Sequence, residues 1–298
     1  MSTRRRPADP GRSIGVIGLG IMGSAMVTNL AKSGHTVHGY DIVPARRAAL
    51  RKAGGTAHGS IAQVARAAEV LITSLPSAAA LHAVAAELNA RGRVVMETST
   101  LPIDEKERAR QTLAKKGIVL LDCPLSGTGA QARAKDLVVY ASGERKAFAR
   151  AEPFMPGFSR AHHYLGAFGN GSKMKFVANL MVAIHNVSAA EGFVLGMKAG
   201  LAPEMIYKVQ ADSAGTSRMF QVRGPMMVAG RYSEATMKNE LWQKDMKIIG
   251  EFATKLGVPT PLFNASAAIY NAAMAQGFGK EDTGAVCAVL EAMARVKR

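Results

Sequence analysis

Cysteine is nearly missing from the 298 residues: Cys123 and Cys287 are the two present. That is too few for a disulfide framework, and it fits a reducing, cytoplasmic compartment. Aromatic residues make up 6% and tryptophan occurs once, so no rings interleave with the basic residues as a base-stacking surface needs. No apolar core follows the basic N-terminal stretch, so no signal peptide is expected. The 7 histidines lack metal-ligand spacing, and no metal site is expected. Internal repeats and low-complexity segments are also missing. Acidic residues are scarce, 22 Asp and Glu against 38 Lys and Arg, for a net charge of +16. Such an excess attracts anions without choosing among nucleic acid, anionic membrane and acidic small molecules. Outside Arg4-Arg5-Arg6 and the C-terminal Arg295, Lys297 and Arg298 it is scattered, as on solvated faces. One apolar run, 176–197, is long enough to span a membrane, but Asn179, His185, Asn186 and Glu191 interrupt it. It is expected as a buried helix, with no membrane partner.

What the chain does have is 48% hydrophobic residues, ample for two cores. Strand-like runs fall at 13–17, 36–40, 70–74, 94–98, 118–122, 137–142 and, more weakly, 162–165. Several are apolar at consecutive positions, as in strands covered on both faces. Ala-rich helical segments such as 61–68, 78–88 and 103–116 alternate with them, which implies a mostly parallel sheet. After Gly171 extended runs vanish. Helices are expected at 172–199, 203–212, 219–230, 238–256, 261–276 and 283–296, with Gly200, Gly257 and Gly277 at their ends and Pro203 and Pro261 at their starts. The expected fold class is α/β: a Rossmann-type doubly wound parallel sheet, then an all-α C-terminal domain joined by a long helix.

The first strand runs straight into Gly18-Leu19-Gly20-Ile21-Met22-Gly23, which opens a helix. A bare G-x-G-x-x-G is weak, but a strand before it and a helix after it supply the context of a dinucleotide site. Gly18 permits the tight turn, Gly20 lets a pyrophosphate approach the backbone, and Gly23 lets helix and strand pack closely. The helix start then offers N–H groups and a positive dipole end to phosphate. Asp41 closes the second strand, where a carboxylate accepts from the adenosine ribose hydroxyls and repels a 2′-phosphate. NAD is thereby favoured over NADP, with Arg46 and Arg47 nearby pulling the other way. A ligand lying across the carboxyl ends of the strands also meets the Leu75-Pro76 and Ser99-Thr100 loops, though ordinary turn chemistry explains both equally. Further on, Lys175 and Asn179 stand one turn apart on the joining helix, and Asn186 falls on the same face. Such a polar stripe needs partners, since unpaired burial costs a few kcal/mol, on the order of 1–3 per group. Snorkelling of Lys175 and a satisfied core amide at Asn179 are the alternatives.

Taken together, these motifs resemble the β-hydroxyacid dehydrogenase family, that of 3-hydroxyisobutyrate dehydrogenase and tartronate semialdehyde reductase (2-hydroxy-3-oxopropionate reductase). The 6-phosphogluconate dehydrogenases are more distant. The likeness is carried by the glycine motif with Asn29-Leu30, by Asp122-Cys-Pro-Leu-Ser-Gly127, by Gly169-x-Gly171-x-x-x-Lys175-x-x-x-Asn179, and by Lys244-Asp245-Met246. It implies that Lys175 is the general acid/base and that Asn179 orients the substrate. It further implies that Ser126, Gly127 and Thr128 bind the substrate carboxylate. Lys244, Thr100, Leu75 and Pro76 join the glycine loop as cofactor contacts, Lys244 toward the nicotinamide. The implied reaction moves hydride between the carbinol carbon of a small anionic hydroxy acid and the nicotinamide, while Lys175 takes or returns the hydroxyl proton. A homodimer or homotetramer is implied as well. The domain limits expected are a basic flexible tail at 1–12, a dinucleotide-binding domain at 13–168, and a helical substrate and oligomerisation domain at 169–298.

Three features depart from the family pattern. Thr128 stands where a second glycine is usual, and a β-branched residue suits positive φ poorly. Lys135 also replaces a glycine; with Arg133 it adds charge to the pocket if directed there. Asn186 lies outside the motifs. Two other readings compete: an imine reductase, which usually lacks the lysine, and a non-catalytic cofactor-binding protein associated with nucleic acid. The lysine weighs against the first, intact Lys175 and Asn179 weigh against the second, and nucleic acid is not an expected partner. Cys123 borders the motif without a paired base.

Overall fold

A computed structural model describes residues 11–298; of the expected basic tail, residues 1–10 lie outside the described residues. The chain forms two compact units, one ending at Lys175 and the other covering Phe176–Arg298.

In the first unit the order is β1 (Ser13–Ile17), α1 (Ile21–Lys32), β2 (Thr36–Tyr40), α2 (Pro44–Lys52), β3 (Thr56–Ala57), α3 (Ile61–Ala67), β4 (Val70–Thr73), α4 (Ala78–Glu87) and β5 (Val94–Glu97). It continues with α5 (Ile103–Ala114), β6 (Val119–Asp122), β7 (Leu125–Ser126), α6 (Gly129–Arg133), β8 (Val138–Ala141), α7 (Arg145–Ala151), α8 (Met155–Phe158) and β9 (Ala161–Tyr164). Six strands form a sheet in the order β3-β2-β1-β4-β5-β6, every neighbouring pair parallel. This is the doubly wound order, with the direction of winding reversing between β1 and β4. Alternate residues of the apolar strands serve opposite faces. Val70 and Ile72 join Met26 and Leu30 of α1 in one core, while Leu71 joins Val64, Leu81 and Leu113 in the other. That explains why these strands read as unbroken apolar runs.

The two last strand-like runs do not extend this sheet, as alternation alone would suggest. They form β8 and β9 of a separate three-stranded sheet, β7-β8-β9. Its cause is local: after β6 the chain doubles back, so Leu125 pairs antiparallel with Val139 and Ser126 with Val138, and Asp122 bridges Ser142.

Helix α9 (Asn170–Lys198) follows, and the division between units falls inside it, after Lys175. By length and composition it is the one helix among the described residues apolar enough to cross a membrane. Its interrupting Asn179 and Asn186 are buried and hydrogen-bonded within the second unit. That unit continues with α10 (Pro203–Gln210), α11 (Arg218–Ala229), α12 (Asn239–Lys255), α13 (Pro261–Ala275) and α14 (Val286–Ala294). Gly200, Gly257 and Gly277 all take positive φ at the helix ends where they were expected. Phe193 stacks on Phe220 with centroids 5.3 Å apart. The buried Arg223 guanidinium reaches Asp282 at 2.9 Å.

Candidate active site

The glycine loop owes its shape to contacts that no side chain could survive. Gly18 has φ +91°, and a Cβ there would lie 2.2 Å from the Ser74 carbonyl oxygen; at Gly23 it would lie 1.9 Å from the carbonyl oxygen of Gly18. These two glycines serve the fold. Gly20 differs: a Cβ built there meets nothing within 4 Å. It is the N-cap of α1 and brings no side chain to the helix end, while the neighbouring Ile21 is largely exposed. An open glycine beside uncapped first-turn N–H groups fits a pyrophosphate.

Asp41 is buried and holds this loop to β2. Its Oδ2 accepts from the Leu19 N–H at 2.7 Å, its Oδ1 from the Val43 N–H at 2.8 Å, and Arg46 Nη1 lies 3.3 Å from Oδ2. The Arg47 guanidinium donates to the Asp41 carbonyl and stacks over Tyr40. Leu75-Pro76 and Thr100 sit on the loops after β4 and β5, at the carboxyl end of the sheet. Those loops are laced together: the Leu75 N–H donates to Ser99 Oγ at 2.9 Å, and the Ser99 N–H to Glu97 Oε1 at 2.9 Å.

Ser126, Gly127 and Thr128 follow from the doubled-back segment. Thr128 turns out not to occupy a position that needs positive φ. The positive φ of +132° falls on Gly127, whereas Thr128 is extended at φ −96° and N-caps α6. Its N–H donates to Gln131 Oε1 at 3.0 Å. A threonine is at home there, and the next residue, Gly129, needs no positive φ either. That glycine instead permits close packing, since a Cβ on it would lie 2.6 Å from Ile21 Cγ2. Asn29 ties α1 to the same helix by donating to the Ala132 carbonyl at 2.7 Å. The turn therefore abuts the glycine loop. Lys135 does adopt φ +60°, but its Nζ reaches Ser33 Oγ at 3.3 Å, by the end of α1.

The first turn of α9 is seated by its motif. Gly169 takes φ +90°, and a Cβ on Gly171 would lie 2.3 Å from the Tyr140 carbonyl oxygen. The Gly171 N–H donates to Ser142 Oγ at 2.9 Å, and Ser172 donates its N–H and hydroxyl to Asp122 at 2.7 and 2.8 Å. Lys175, 7% exposed, follows one turn later. In the second unit Asn179 Nδ2 donates to Asp245 Oδ2 at 3.0 Å, and Lys244 Nζ lies 3.2 Å from Asp245 Oδ1. With its amide nitrogen so engaged, Asn179 presents its oxygen as an acceptor. Asp245 was quoted above only as part of a motif; an acid next to a lysine with a site role was the available signal.

Asn186 belongs to the core, fully buried and donating to Tyr270 Oη at 3.0 Å. Trp242 is likewise buried, tilted against Tyr270. Burial and the Asp122 carboxylate push the Cys123 thiol well above its ordinary range, which leaves it unreactive. A mainly apolar groove of about 720 Å³ in the helical unit, lined by His185, Met205, Ile206 and Phe220 among others, contains none of the expected site residues.

A cofactor cradle at the carboxyl end of a 3-2-1-4-5-6 sheet, with a lysine-bearing helix anchored to that same sheet, defines the class of NAD(P)-dependent dehydrogenases. Comparison with known proteins narrows it. Residues 13–166 match the NAD binding domain of 6-phosphogluconate dehydrogenase, and residues 169–290 the profile described as NAD-binding of NADP-dependent 3-hydroxyisobutyrate dehydrogenase. An L-threonate dehydrogenase from Cupriavidus necator is 32% identical over 92% of this chain and 95% of its own. A 2-(hydroxymethyl)glutarate dehydrogenase from Eubacterium barkeri is 30% identical over 95% and 96%. The crystal structure of a 3-hydroxyisobutyrate dehydrogenase from Salmonella typhimurium superposes with a TM-score of 0.83 at 28% identity, covering 93% of this chain and 99% of that one. The chain belongs to the β-hydroxyacid dehydrogenase family and is an NAD(P)-dependent enzyme.

Proposed function

We propose that the enzyme interconverts a small β-hydroxy acid and its aldehyde, with Lys175 as general acid/base and NAD as the preferred cofactor. The observation that carries this reading is the double anchorage at Asp122. Ser126 follows it closely in the chain, and Ser172, three positions before Lys175, is hydrogen-bonded to its carboxylate. Proton donor and carboxylate-binding turn are thus built from one end of β6. The bound dinucleotide supplies the hydride acceptor, or in reduction the donor. Ser126 and the backbone around Gly127 hold the substrate carboxylate, next to the glycine loop through the Gly129–Ile21 packing. In oxidation the Lys175 amine takes the hydroxyl proton as the carbonyl forms; in reduction its ammonium returns that proton to the carbonyl oxygen. Asn179 orients the substrate through its amide oxygen, and Asp245 keeps that amide from turning over.

For the cofactor, Asp41 supports NAD, since a carboxylate fixed at the end of β2 disfavours a 2′-phosphate. Arg46, half-exposed beside it, limits the discrimination. For the substrate, the named activities of the relatives support a short polar hydroxy acid of the threonate, 3-hydroxyisobutyrate or glycerate type. The surplus of positive charge favours the approach of such an anion. We assign the protein to the cytoplasm as a homo-oligomer, on the free cysteines and the resemblance respectively. The test is a spectrophotometric screen of NAD and NADP reduction with L-threonate, 3-hydroxyisobutyrate, glycerate and 3-hydroxypropionate. Turnover of at least one acid with a higher kcat/KM for NAD is expected. Silence with every acid, or a clear preference for NADP, would contradict the respective half of the reading.

A further inference from the structure

Asp122 belongs to a buried cluster of charges whose other members, Lys106 and Glu97, have no part in that scheme. Lys106 of α5 is fully buried, with Nζ 2.6 Å from Glu97 Oε2 and 2.8 Å from Asp122 Oδ1. The two carboxylates stand side by side on β5 and β6, where Glu97 and Asp122 are register partners. Burial works against the Lys106 charge, but Asp122 and Glu97 outweigh it and hold the ammonium above its ordinary range.

Three buried charges are a poor way to hold a sheet, because well-packed apolar residues of similar volume often do as well or better. Apolar residues cannot, however, accept hydrogen bonds. Each carboxylate here spends its remaining oxygen capacity on a different site segment. Glu97 Oε1 takes the Ser99 N–H, and Ser99 Oγ takes the Leu75 N–H, so the two cofactor-side loops hang from Glu97. Asp122 takes the N–H and hydroxyl of Ser172 and the Ser142 hydroxyl, so the start of α9 hangs from Asp122. The anion also lies where the α9 dipole favours negative charge. Lys106 is the link between the two.

We propose that the Glu97–Lys106–Asp122 triad is a positioning device for the reaction, holding the α9 turn that carries Lys175 in register with the cofactor-side loops at 74–76 and 98–100. The inference rests on the reading of Lys175 given above. It asks little of the triad in stability and much in placement, for a misplacement of about 1 Å costs on the order of 100-fold in rate.

Lys106→Met would strand two facing buried carboxylates and is prone to misfold, so Ser172 is the better lever. Ser172→Ala removes one bond to Asp122 and leaves no buried charge unpaired; Ser172→Thr restores the hydroxyl. The holoenzyme is assayed with L-threonate and NAD over a range of pH, and amide hydrogen exchange is followed at residues 170–175 with NAD present. In Ser172→Ala, kcat should fall roughly tenfold with the KM for NAD and the melting temperature unchanged, and exchange at 170–175 should quicken. Ser172→Thr should recover both. Wild-type exchange in Ser172→Ala overturns the proposal whatever the substrate, as does a wild-type kcat alongside an inactive Lys175→Ala. If instead Lys175→Ala keeps its turnover, the reading of Lys175 fails on its own, and the exchange measurement still decides whether the triad seats α9.

Discussion

The sheet-bearing unit and the helical unit hold their site residues by different means. In the first, close main-chain packing sets the shape, with Gly18, Gly23 and Gly171 each bringing backbone to within 2.3 Å of where a Cβ would be, and the buried carboxylates of Asp41, Glu97 and Asp122 then tie the loops down. In the second, side-chain pairs do it: Asn179 is held by Asp245, as in the core Arg223 is held by Asp282. Backbone-determined geometry leaves a residue-type fingerprint, because glycine alone fits. A side-chain pair leaves two ordinary polar letters far apart in the sequence. The contrast makes the glycine loop unforgiving and the Asn179–Asp245 pair separable from folding.

The sharpest way to break this comparison is inside the loop. Gly23→Ala forces a Cβ onto a carbonyl and should cost more than about 4 kcal/mol, abolishing cooperative unfolding of the first unit. Gly20→Ala meets open space and should keep the wild-type melting curve while weakening NADH binding on the order of tenfold, as read by fluorescence titration. If both variants behave alike, the division between fold glycines and ligand glycine is wrong. Next in size, Asp245→Ala should lower kcat roughly tenfold with little change in melting temperature, because the Asn179 amide loses the acceptor that orients it.

A smaller effect concerns acid. Burial pushes the Asp282 carboxyl up, but Arg223 and the donors of Gly284, Thr236 and Met237 outweigh it, so its pKa lies below the ordinary value. A group lowered in the native state stabilises the fold above the ordinary carboxylate range and loses that contribution as pH falls through its native value. The helical unit should therefore hold its far-UV circular dichroism from neutral pH down to about 4 and lose stability below. The smallest expected change is a gain. Lys135 sits at φ +60°, and Lys135→Gly should add about 0.5–1 kcal/mol in urea unfolding, the relieved strain exceeding the lost contact with Ser33.

The same contrast governs what was legible in the sequence. The strands β1, β2, β4, β5 and β6 were readable as apolar runs alternating with helices, and the glycine loop, the Gly169–Lys175 motif and the helix-ending glycines were readable because backbone geometry dictates residue type there. Strands β3 and β7 are two residues long, too short for any period to register. Helix α2 buries only Leu50, so its Arg-rich sequence carries no apolar face. Lys106 reads as one more charge in Asp104-Glu-Lys-Glu-Arg108. The clue lay elsewhere, in Glu97 and Asp122 closing otherwise apolar strands, where buried carboxylates require a cation. That Thr128 needs no positive φ was not legible, because the motif does not reveal which residue of the turn carries it.

The central claim is that the Lys175 amine handles the proton of the substrate hydroxyl. The most direct measurement is NADH formation from L-threonate by Lys175→Ala, set beside its affinity for NADH and that of wild type. The account predicts a loss of about 100- to 10,000-fold in turnover with NADH affinity preserved. A Lys175→Ala enzyme that binds NADH normally and turns over at close to the wild-type rate would contradict it.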